Sequence, residues 1–196
     1  MSHIELEVKE YIRELVYDIR NKTHITARVK LSDGNSAAVG DMQASDSAAD
    51  TNELLRGIQD ASARLHSFLA DWLVKIDTSY SDDILMSWDE SETVASFLRF
   101  KFRLPSNFNT EAAPSIAEGV HGFIVGSCLS TWYGMNKPDE VKTWLAHADG
   151  CMLSLRKALS RRSPPVRPSG GVSRFDGLTI VTDRDSRYDV SFIDSV

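Results

Sequence analysis

The chain has 196 residues, 42% of them hydrophobic and 26% charged, with a formal net charge of −6. These are ordinary globular proportions, sufficient to bury a core without disulfides. The acidic balance argues against a protein that coats nucleic acid with its whole surface.

No run reaches the ~18 uncharged apolar residues that a membrane-crossing helix needs. The first twenty residues, MSHIELEVKEYIRELVYDIR, carry four Glu and one Asp and no apolar core or small-residue cleavage site. They are therefore not expected to be a signal peptide. Cys128 and Cys151 fall on helical apolar patterns and are expected as reduced, buried thiols of a protein made in a cytoplasm.

In chain order, residues 4–20 predict a first helix, with Ile4, Val8, Ile12, Leu15 and Ile19 on one stripe. Residues 21–45 lose that period. Ile25, Ala27, Val29 and Leu31 alternate with Thr26, Arg28 and Lys30, which predicts a brief strand, and Asp33-Gly34-Asn35 supplies a turn. Residues 1–45 are thus expected as a helix and an extended arm. A second helix is predicted from a cap at Ser45 or Ser47, with Leu54, Ile58, Ala61, Leu65, Phe68, Trp72 and Ile76 as its core stripe.

Residues 83–104 change period and predict an inserted β-hairpin. Ile84 to Trp88 form its first strand, and Val94, Ser96, Leu98, Phe100, Phe102 and Leu104 line one face of the second. Pro105 ends it. A third helix over roughly 110–135 carries Gly119, Gly122 and Gly126 on one face. Each costs about 1 kcal/mol relative to Ala in a helix, so the stripe predicts close approach of another backbone. Pro138 opens a fourth helix after a short turn, which implies an antiparallel pair. Residues 163–171, SPPVRPSGG, form a Pro/Gly linker. Leu178, Ile180, Val190 and Phe192 then predict a small hairpin arm within 172–196, which needs a partner surface in its own core or on a neighbour. The fold class expected is mainly α with small β: a bundle of about four helices spanning 46–162, with an inserted β-hairpin and a C-terminal β-hairpin arm.

Catalytic and cofactor motifs are missing from the sequence. No GxSxG elbow, GxxxxGK[ST] loop, CxxC or HExxH spacing occurs, so neither an enzyme nor a cofactor or metal protein is expected. His121, Cys128, His147 and Cys151 would meet only if the third and fourth helices pair suitably. Core cysteines and packed histidines are the plainer reading. Positive charge is more informative. Arg156, Lys157, Arg161, Arg162, Arg167 and Arg174 fall in a window with no acid between Asp149 and Asp176. A basic helix end favoured by its dipole accounts for part of this. Contact with an acidic face of the next subunit or with a nucleic-acid backbone would account for the rest.

The order of elements resembles the small head–tail connector, or neck adaptor, proteins of tailed bacteriophages and prophages, including those of gut bacteria. The likeness covers roughly residues 46–162. It is carried by Leu54-Leu55 with Ala61 in TNELLRGIQDASARLHSFLADWL, by Leu104-Pro105 in FRLPSNFN, and by the helix pair AAPSIAEGVHGFIVGSCLSTWYG and DEVKTWLAHADGCMLSLRKAL. The first 45 residues and the C-terminal arm are longer than a minimal connector has, and the third helix is richer in glycine. The resemblance implies a non-enzymatic virion subunit, made in the host cytoplasm and placed in the neck of the particle. It would form a homo-oligomeric ring that contacts portal and tail proteins, with non-specific contact to DNA in the channel and none to membrane. Adaptor, stopper and tail terminator all fit the resemblance. The alternative expectation is a non-enzymatic bacterial protein-interaction or regulatory module.

Overall fold

The computed structural model describes residues 3–32, 42–74, 97–163 and 188–193. Within them the chain is mainly helical with a small antiparallel sheet. Strand β1 (His3–Tyr11) leads directly into helix α1 (Ile12–Ser32), followed by α2 (Ala48–Phe68) and β2 (Phe97–Pro105). A single 3-10 turn (Thr110–Ala112), α3 (Ala113–Asn136), α4 (Pro138–Leu159) and β3 (Tyr188–Ile193) complete the order. The sheet order is β2-β1-β3. Among the described residues no helix is long and apolar enough to cross a membrane.

The N-terminal segment corrects the expectation of a helix over 4–20. Ile4 and Val8 are four apart, a spacing that fits one helix face and also every second position of a strand. Leu6 decides between them. Ile4, Leu6, Val8 and Glu10 are buried while the residues between them are only partly so, the two-residue period of a strand. β1 is the central strand. It runs antiparallel to β2 from His3↔Pro105 to Tyr11↔Phe97, and antiparallel to β3 from His3↔Ile193 to Val8↔Tyr188.

From Ile12 the burial period lengthens to three or four, through Leu15, Val16, Ile19, Thr23 and Ala27. The brief strand expected at 25–31 is therefore corrected to the continuation of α1. On a helix the alternating apolar residues part company: Ala27 is buried, whereas Ile25 and Val29 are 52% and 57% exposed. The β-branched threonines fit because their hydroxyls donate back to carbonyls of the preceding turn, Thr23 to Arg20 and Thr26 to Lys22.

α2 starts where its cap predicts. The Ser47 hydroxyl accepts from the Asp50 amide, while the Ser45 amide and hydroxyl both donate to the Asp50 carboxylate. The helix ends at Phe68, earlier than the stripe to Trp72 and Ile76 suggests. The reason lies on β2. Its edge away from β1 still has donors and acceptors to satisfy, and residues 72–74 supply them: the Arg103 amide donates to Trp72 O and the Val74 amide to Lys101 O. Leu73 bridges to Phe102 there.

β2 buries Phe100, Phe102 and Leu104, as its alternation predicts. Its partners are β1 and residues 72–74, whereas the first strand expected at 84–88 lies outside the described residues, as do Val94, Ser96 and Ile76. α3 is entered through Asn109, whose side chain accepts from the Glu111 amide, and carries Pro114 in its first turn. Lys137 alone separates α3 from α4. In the C-terminal arm only 188–193 are described. They pair with β1 of the same chain, so this segment does not wait for a companion's surface. The turn at Asp33-Gly34-Asn35, residues 164–171 of the linker and the Leu178–Ile180 strand lie outside the described residues. One continuous core joins β1, α1 to α4 and β2. Residues 3–32, set apart as helix and arm in the sequence, are part of that core.

Candidate functional site

The small face of α3 meets α4 at close range. A Cβ added to Gly119 would stand 2.9 Å from Leu155 Cβ and 3.3 Å from its Cα. At Gly126 it would stand 3.2 Å from both Ala148 N and Ala148 Cβ, and at Gly122 it would stand 2.7 Å from Cys151 Sγ. Residue numbers rise along one helix as they fall along the other, so the pair is antiparallel. Gly57 of α2 plays the same part opposite Cys128, where a Cβ would lie 2.8 Å from Sγ.

The four residues considered for a metal do not converge. Cys128 faces α2 and donates to Leu54 O at 3.7 Å. Burial, helped by the charge of Glu53, pushes its thiol up to about 12. Cys151 lies 3.7 Å from His147 Nε2 on α4. Burial raises its thiol too, against the opposing charge of Lys22. Both sulfurs are thus protonated and poorly nucleophilic at neutral pH. His121 is elsewhere, and among the described residues no three His, Cys, Asp or Glu side chains form a metal-holding group.

The described part of the basic segment forms the last turn of α4 and the residues just after it. Arg156, Lys157, Arg161 and Arg162 are all exposed there. Two of them brace helix ends, where carbonyls lack amide partners. Arg156 donates to Phe68 O of α2 at 3.4 Å, and Arg162 donates to Leu159 O at 2.9 Å. The backbone of this end is fastened to the segment after β2, through the Asn109 amide to Arg161 O and the Ser163 amide to Asn107 O. Arg167 and Arg174 lie outside the described residues.

The cluster with the most chemistry was not foreseen from the sequence. Glu10 occupies a core-facing position of β1, the fourth in the alternation Ile4, Leu6, Val8, Glu10, and its side chain is 0% exposed. Its Oε2 lies 2.9 Å from His121 Nδ1, and the other ring nitrogen, Nε2, lies 2.9 Å from Asp18 Oδ2. α3 therefore sets an imidazole between a strand carboxylate and a helix carboxylate. The His121 side chain is 15% exposed and that of Asp18 is 39% exposed. Among the described residues, Glu10 Oε1 is buried without a hydrogen-bond partner. Burial alone would lower the basicity of His121, but the hydrogen bond and charge of Glu10, then those of Asp18, outweigh it and raise its pKa above the ordinary value.

The sequence signal was an acid in a run of apolar alternation, visible only once residues 3–11 are read as a strand. On a helix Glu10 falls off the apolar stripe and looks solvated. Chemically the cluster can hold a proton tightly. It pairs the imidazole with two carboxylates and brings neither cysteine to it, so it does not have the layout of an activated nucleophile. No known protein family, curated protein or solved structure matches this chain.

Proposed function

We propose that the chain is a structural subunit of a phage or prophage particle, a ring-forming head–tail connector that bridges portal and tail around the DNA channel. Its work is geometric: it presents surfaces to identical copies and to portal and tail proteins, and transforms no substrate. The observation that supports this reading is the exposed basic end of α4, where Arg156, Lys157, Arg161 and Arg162 gather on a well-anchored helix terminus. Such an end suits the acidic surface of a neighbouring copy or the phosphates of channel DNA, both of which would be sensitive to salt. The resemblance of residues 46–162 to neck proteins adds the particular assembly.

The test is co-assembly. The wild-type chain, mixed with portal and tail proteins of a tailed phage, is expected to co-sediment with them. Lys157→Glu combined with Arg161→Glu is expected to weaken that association at least tenfold while leaving the circular dichroism spectrum unchanged. Association that is absent, or that ignores both the charge reversal and added salt, would remove the reading.

A further inference from the structure

We propose that His121 is a protonated latch that locks the corner between β1 and α1 onto α3, and that loss of its second ring proton loosens α1 at Asp18. Neutral imidazole has one N–H and one lone pair, whereas imidazolium has two N–H groups. Both ring nitrogens of His121 lie 2.9 Å from carboxylate oxygens that can only accept when ionised. Imidazolium satisfies both contacts. Neutral imidazole would leave one carboxylate facing a lone pair at hydrogen-bonding distance.

The placement of the two carboxylates decides which contact gives way. Glu10 and Asp18 flank the junction where Tyr11 ends the strand and Ile12 begins the helix. Glu10 is wholly buried and cannot turn out to solvent where it stands. Asp18 is partly exposed and can turn outward. When one proton leaves, the remaining N–H therefore stays with Glu10, and Asp18 lets go. α1 is then loosened while β1 remains in the sheet. Two residues further along α1, Arg20 bonds Thr51 at 2.7 Å and Asp46 at 2.8 Å, so the loosening reaches the capped start of α2.

The groups that act on the charge of His121 are Glu10 from β1 and Asp18 from α1. From α4, Cys151 and His147 pack against the adjacent Gly122. From α2, Phe68 meets Phe123 edge to face. Because the folded pKa is raised, the latch is fully closed below the ordinary histidine value of ~6.5 and opens as pH rises through the higher folded value.

The full chain, labelled with ¹⁵N, tests this by histidine nitrogen spectra across pH together with hydrogen exchange of α1 amides, corrected for the intrinsic pH dependence. The expected result is a His121 ring with two pyrrole-like nitrogens at pH 7, a midpoint above the ordinary one, and α1 exchange that rises through the same midpoint. Asp18→Asn, at a partly exposed position, is expected to remain folded and to abolish that linked step. A neutral ring at pH 7, or α1 protection indifferent to the His121 titration in the wild type, would overturn the proposal.

Discussion

At Gly119 and Gly126 the missing side chain is what allows the backbone of α4 to lie against α3. Substituting Ala at Gly119 gains helix propensity worth about 1 kcal/mol. It also forces a Cβ to within 3.3 Å of Leu155 Cα, which cannot swing aside as a side-chain tip can. Overpacking of this kind costs roughly 1–3 kcal/mol, so Gly119→Ala is expected to lower the thermal midpoint. Gly150→Ala is the opposite case. Among the described residues nothing stands within 4 Å of its Cβ position on the same helix pair, and it should raise the midpoint through propensity alone. At the carboxylate cluster the two acids should differ as sharply. Glu10→Ala leaves an imidazolium robbed of its buried partner, a loss of roughly 3–5 kcal/mol. Asp18→Ala removes a partly exposed pair and should cost about 1 kcal/mol or less. Urea unfolding of both variants below pH 6, where the latch is closed, measures the difference.

Individual elements show why some of the fold was legible and some was not. α3, α4 and the start of α2 carry long unbroken periods with caps or prolines at their ends, and each begins within a few residues of its expected place. Ser47→Ala should destabilise α2 by about 1 kcal/mol, read by urea unfolding, since the hydroxyl satisfies the Asp50 amide. β1 was hidden because Ile4 and Val8 satisfy both periods, and the change of period at Ile12 comes without a turn residue to announce it. The far end of α2 was hidden for a different reason. Its apolar stripe runs on past Phe68, and only the unsatisfied edge of β2, contributed from thirty residues later, converts 72–74 into a bridge. The Glu10–His121–Asp18 cluster joins three elements across more than a hundred residues, so no local pattern marks it. Truncation before residue 164 gives a test of the sheet order. Alternate β1 amides, those directed at β3, should lose exchange protection while those directed at β2 keep it.

For the whole molecule, the N-terminal strand at the centre of the sheet replaces the first part of the helix expected over 4–20. β1 and β3 come from opposite ends of the described chain and pair with one another in a single copy. Assembly of a connector ring would draw above all on the basic end of α4. Light scattering on purified chain, across concentration and salt and with and without an added phage portal protein, tests this most directly. A ring-forming subunit should give complexes of many copies at low salt or in the portal's presence, dispersing as ionic strength rises. A mass that stays at 21.8 kDa throughout would contradict it.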